Sequence, residues 1–131
     1  MSEFVFAFHS GFRYVVFVVG LAAAVVAAAR LVRGAGSSSG DFSLKLFRVF
    51  VITVDIQVLF GIAVVILRPF QPAFIGHIVS MVLALAVAHL MSVRIRKRPA
   101  DQKGSGPVLV GVLVVFALIV AGIMAIGRPL I

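Results

Sequence analysis

Three histidines, one carboxylate and one amide, all set inside apolar runs, are the groups of this 131-residue chain whose spacing could support chemistry. His77 and His89 lie twelve residues apart in the run Phe74–Val93. On a helix that separates them by about 18 Å along the axis and about 120° around it, so they belong to different sites. His9 stands near the start of the first run, with Arg13 one turn further along the same face. Asp55 and Gln57, two residues apart, point about 200° from each other on a helix. One face carries Asp55 with Ile52, Leu59 and Ile62; the other carries Thr53, Gln57, Gly61 and Arg68. An ionisable side chain inside hydrocarbon is costly and marks a functional or paired position. A buried amide likewise needs a partner.

The elements that must hold these groups follow from composition. The chain is 63% hydrophobic and 12% charged, against about 45–50% and about 25% in a soluble domain. Four apolar segments, about 4–32, 46–67, 74–93 and 107–127, each reach the ~20 residues needed to span a bilayer. The expected fold is an all-α, integral membrane four-helix bundle, with residues 1–131 forming a single domain. Arg30, Arg33, Lys45, Arg48, Arg94, Arg96, Lys97, Arg98 and Lys103 flank loops one and three, while Arg13, Arg68 and Arg128 lie at the opposite ends. This bias predicts that loops one and three are cytoplasmic and that both termini face outward (periplasmic), in a bacterial inner membrane.

The net charge of +8 is therefore a signal of topology and of attraction to anionic lipid. Nucleic-acid binding is excluded as a reading, since the basic run Arg94–Arg98 has no aromatic interleaving or accompanying fold. The absence of cysteine rules out disulfides, thiolate metal sites and thioether-linked haem. The first segment lacks a basic start and is too long for a signal-peptide core, so it is expected to be retained. Ser2 and Glu3 suit a helix start, and Asp41 or Ser43 is expected to cap the second helix. Segment four has no ionisable residue in its interior; packing and lipid contact are its expected roles.

Depth then groups the polar residues. His9 and His77 both begin inward-running segments, so they share the outer side. A haem iron accepts two axial nitrogens, and histidines facing each other across a bundle can supply them. Ser10, Gly11, Gly76, Ser80 and Ala84 would admit a flat macrocycle, and Arg13 and Arg68 lie where propionates could pair with them. The plainer alternative keeps His9 as an interfacial histidine and His77 as a hydrogen-bonding side chain. His89 and Asp55 lie about two turns above the cytoplasmic edge and can pair with each other. That pair, with Gln57 nearby in sequence, would be a proton relay, a hold on a quinone carbonyl or a structural tie. His89 is also the less favoured candidate for haem iron, because a second inner-side histidine is missing from the chain.

His9-Ser10-Gly11-Phe12-Arg13-Tyr14 resembles the His-Ser-x-x-Arg-aromatic opening of small bacterial four-helix membrane proteins catalogued as cytochrome-b-like. Asp55-Ile56-Gln57-Val58-Leu59-Phe60-Gly61 is similar to their second-helix pattern, and His77, His89 and the basic Arg94–Arg98 tail to their third helix. Tyr14 stands where that pattern would carry tryptophan. The resemblance implies a non-covalent haem b held by His9 and His77, with His89 as the other candidate. The expected function is electron transfer, linked to a quinone as lipid-soluble partner. Two rival expectations stand beside it: an accessory or anchor subunit of a larger membrane complex, and a small dimeric proton-coupled transporter using Asp55. The two-faced second segment also predicts a homodimer or membership of a complex.

Overall fold

Inside hydrocarbon every backbone N–H and C=O must be satisfied internally, which leaves the helix as the form open to isolated apolar runs of this length. The computed structural model has four helices: α1 (Ser2–Val32), α2 (Phe42–Leu67), α3 (Phe74–Lys97) and α4 (Ser105–Ala125). It describes residues 2–34, 42–69, 71–72, 74–98 and 105–127. All four helices are long and apolar enough to cross a membrane, the pattern of a multi-pass membrane protein.

Two helices outrun their apolar segments by a full turn. α2 already includes Phe42, four residues before the expected span, and α3 continues through Arg94, Arg96 and Lys97. A hydrocarbon criterion registers only apolar residues, whereas Lys and Arg are good helix formers and suit a helix C-terminus electrostatically. Ser43 therefore lies inside α2 and is buried rather than capping it; Asp41, Lys103 and Arg128 fall outside the described residues. α1 stops where Gly34 takes a positive φ of 70°, a conformation glycine adopts without a Cβ penalty.

Neighbours run antiparallel, as residue pairs along them show. Phe6 meets Arg68 while Gly20 meets Phe50, which sets α1 against α2. His77 meets Gly122 while Met91 meets Gly111, which sets α3 against α4. α1 also packs on α4 and α2 on α3, closing the bundle, whereas the backbones of α1 and α3 do not approach closely across the diagonal among the described residues.

The interior is solid in one half and hollow in the other. Every buried residue of α2 lies between Ser43 and Val54, and every buried residue of α3 lies at or beyond Ala84. There Phe47, Phe50, Val108, Val112 and Val115 fill the centre. Phe116 makes edge contacts with Phe50 at 5.5 Å and Phe17 at 5.7 Å. Gly20 is what lets α1 come so close: a Cβ there would stand 2.7 Å from the Phe50 ring and closer still to Phe116. Lipid tails are as apolar as these side chains, so contact packing and interhelical hydrogen bonds drive this association. The basic residues Arg30, Arg33, Lys45, Arg48, Arg94, Arg96, Lys97 and Arg98 all lie at the solid end of the bundle. The hollow half lies at the other end.

Candidate functional site

Each hairpin fixes one histidine by hydrogen bonds to backbone. In the α1–α2 hairpin, His9 Nδ1 donates to the Gln57 backbone carbonyl at 3.1 Å, and Gln57 Nε2 donates to the His9 backbone carbonyl at 2.8 Å. The His9 ring lies against Gly61, where a Cβ would come within 3.0 Å of Cε1. In the α3–α4 hairpin, His77 Nδ1 donates to the Gly122 carbonyl at 3.0 Å, and Ser80 Oγ donates to the Leu118 carbonyl at 2.7 Å, one turn away. Since a carbonyl only accepts, both imidazoles carry their proton on Nδ1 when neutral, and Nε2 is the basic nitrogen. Donation from the second nitrogen to a carbonyl is the usual way a metal-ligating imidazole is oriented.

The two rings face a common cavity of about 650 Å³, within the range of small-molecule and cofactor sites. Their centroids are 6.4 Å apart and their planes 86° apart. Two imidazoles bound to one metal through one nitrogen each, at about 2.0–2.1 Å, have ring centres roughly 6 Å apart. Arg13, Gln57, Gly61 and Arg68 also line the cavity, with apolar side chains making up most of the wall. Arg68 sits over the Phe6 ring at 4.3 Å, and Arg13 donates to the Tyr14 hydroxyl at 3.0 Å. Two buried polar atoms of the lining have no hydrogen-bond partner, Arg13 Nε and Gln57 Oε1. A buried group left in that state costs about 1–3 kcal/mol, so a polar ligand in the cavity would relieve it. Seven lining residues are exposed: Ile62, Val65, Ile66 and Val82 on α2 and α3, and Arg68, Pro69 and Gln71 between those helices. The cavity therefore reaches the surface on the α2–α3 side.

A bare ion would find too few protein ligands at this pair of imidazoles. Among the described residues, no group of three or more His, Asp or Glu side chains converges to hold a metal ion. A haem brings four equatorial nitrogens of its own and asks the protein only for axial ligands.

Asp55 and His89 meet elsewhere. His89 Nε2 and Asp55 Oδ1 are 2.6 Å apart, on the outer surface of α2 and α3, with 53% and 38% of their side chains exposed. Neither lines the cavity. Gln57 does not join them, contrary to its grouping by sequence proximity, because the two faces of α2 separate it from Asp55. Its amide serves His9 instead.

Of the small residues expected beside a macrocycle, Ser10 and Ala84 line the cavity, but Gly11, Gly76 and Ser80 do not. Ser80, expected as a cofactor contact, donates its hydroxyl to α4 and so ties α3 to that helix. Two contributors escaped the sequence reading, the carbonyls of Leu118 and Gly122. The sequence places Gly61 on the Gln57 face but does not show that it lies under the His9 ring. Carbonyl acceptors leave no trace in a sequence, because every residue has one. Comparison of the chain with protein-family models, curated proteins and solved structures gave no match.

Proposed function

We propose that this protein is a membrane b-type cytochrome, with a non-covalent haem b between His9 and His77. The observation that carries the reading is the matched fixation of two imidazoles by backbone carbonyls, 6.4 Å apart on one 650 Å³ cavity. Haem supplies reversible one-electron chemistry at iron, and the chain's residues set the conditions for it. The Gln57 and Gly122 carbonyls accept from Nδ1 of the two rings, so Nε2 is the basic nitrogen each would offer an iron. Arg13 and Arg68 offer guanidinium groups at the cavity, suited to carboxylates such as propionates. The apolar wall, Val58 and Ile119 among it, excludes water and keeps the local dielectric low.

By the distribution of basic residues, the histidine end faces outward and the basic end faces the cytoplasm of a bacterial cell. A quinone could reach the α2–α3 side of the cavity through the lipid, which suits it as electron donor or acceptor. The likeness of the His9–Tyr14 and Asp55–Gly61 motifs to cytochrome-b-like proteins points the same way.

A second reading, an accessory subunit of a larger complex, is favoured by the half-exposed Asp55–His89 pair. Transport through Asp55 loses its support, since that carboxylate lies outside the cavity.

The test is a dithionite-reduced minus oxidised absorption spectrum of the purified protein made with ample haem supply. Sharp α and Soret bands are expected, lost in His9→Ala and in His77→Ala but kept in His89→Ala. A colourless protein, or loss only in His89→Ala, overturns the proposal.

A further inference from the structure

The Asp55–His89 pair is difficult to reconcile with a bundle surrounded only by lipid. Polar side chains at membrane depth face a bundle interior, a water-filled space or another protein, because exposure to hydrocarbon is costly. This pair lies on the outer surface, short of the basic residues that would mark the water boundary. Asp55 is seven residues from Arg48 and His89 five from Arg94, about 10 Å and about 8 Å along their helices. Each partner also keeps unused capacity: His89 Nδ1 and Asp55 Oδ2 make no hydrogen bond within the described residues.

α3 provides a second, independent observation. Only 11% of its most apolar window is buried inside the chain, against 22% for α1 and α2 and 39% for α4. It is nevertheless the helix carrying two histidines and Ser80. Its uncovered side, through Val82, Ala86 and His89, adjoins the uncovered side of α2 through Ile52, Leu59 and Ile62.

We propose that this α2–α3 face is the interface of a homodimer, with a second copy of the chain as its occupant. A two-fold axis along the membrane normal brings equivalent residues of two copies to the same depth. With the pair held net neutral as imidazolium and carboxylate, each copy offers one unused donor, His89 Nδ1, and one unused acceptor, Asp55 Oδ2. The face is therefore complementary in charge to itself. Dimerisation pairs both groups across the axis and removes them from lipid. It also covers the α2–α3 side of the cavity, whose exposed rim of Ile62 and Val82 belongs to the same face. The inference stands on the pair and on α3, and it holds whether or not haem is bound.

The chain contains no cysteine, so single-cysteine cross-linking has no background. Val82→Cys and Ala86→Cys probe the proposed face, with Val18→Cys on α1 and Leu113→Cys on α4 as exposed controls near mid-helix. Each is expressed in native membranes and oxidised with copper phenanthroline. A disulfide-linked dimer is expected from at least one α3 position and from neither control. Adding Asp55→Leu to the cross-linking variant should lower the dimer yield at least about threefold, the weight of one average interhelical hydrogen bond in a membrane. Cross-linking mainly from Val18→Cys or Leu113→Cys overturns the proposal by moving the interface. Cross-linking from no position overturns it in favour of a different membrane protein, or lipid, on this face. A yield unchanged by Asp55→Leu overturns the role of the pair.

Discussion

Gly122→Ala and Gly11→Ala insert the same methyl group into two helices and should have opposite effects on stability. At Gly122 the new Cβ would stand 2.5 Å from Met81 Cε, 3.0 Å from Ser80 Cβ and 3.5 Å from His77 Nδ1. Met81 can swing its terminal methyl aside. Ser80 Cβ is attached to the backbone of α3 and retreats only if the helix does. Restoring an ordinary carbon–carbon contact needs roughly half an ångström of separation. That shift falls on the 3.0 Å His77–Gly122 and 2.7 Å Ser80–Leu118 hydrogen bonds. Overpacking costs about 1–3 kcal/mol, and each interhelical bond is worth about 0.6 kcal/mol in a membrane. The gain from replacing a helical glycine offsets about 0.5–1 kcal/mol. The expected net loss is about 1–3 kcal/mol. At Gly11 nothing lies within 4 Å of the added Cβ, so only the helical gain of about 0.5–1 kcal/mol remains. Unfolding by SDS from mixed micelles, followed by far-ultraviolet circular dichroism, measures both in a chain without tryptophan. If Gly122→Ala resisted SDS as well as Gly11→Ala does, the close α3–α4 contact argued from this glycine would be refuted.

Three further outcomes are expected, two from the same site and one from the outer α2–α3 surface. Ser80→Ala should cost about 0.6–1.7 kcal/mol in the SDS assay by removing one interhelical bond, while leaving any haem spectrum unchanged; a spectral shift would return Ser80 to the cofactor. Gln57→Leu removes the 2.8 Å bond to the His9 carbonyl but also the unpartnered Oε1, and it spares the backbone carbonyl that orients His9. Its stability should change by less than about 1 kcal/mol because the two effects oppose, and loss of haem absorption would contradict that separation. His89→Leu leaves the Asp55 carboxylate without its partner, so the Asp55→Leu/His89→Leu double variant should unfold at higher SDS than His89→Leu alone. The reverse order would show that the carboxylate has another partner.

The fold was legible because its cause is local. Each apolar run exceeds the span of the hydrocarbon, and a backbone in lipid must form its own hydrogen bonds, so four helices follow from run length alone. The helix ends were less legible, as α2 and α3 show, because basic residues continue a helix past the point where hydropathy stops marking it. Pairings that follow from depth were also within reach. His9 and His77 share the end of the bundle away from the basic cluster, and Asp55 and His89 share a level nearer to it.

Run length, periodicity and charge thus determined the four helices and the levels at which their polar residues stand. The tertiary structure alone decided what those residues touch. Gln57 turned to His9 rather than toward Asp55, Ser80 bonded α4 rather than the cavity, and the carbonyls of Leu118 and Gly122 became partners of α3. The physical reason is that helix rotation and spacing are set by steric contacts between distant residues. Gly20 against Phe50, Gly61 against His9 and Gly122 against Ser80 fix how closely the helices approach. A one-dimensional pattern records that a glycine is present, but not which side chain fills the space its missing Cβ leaves.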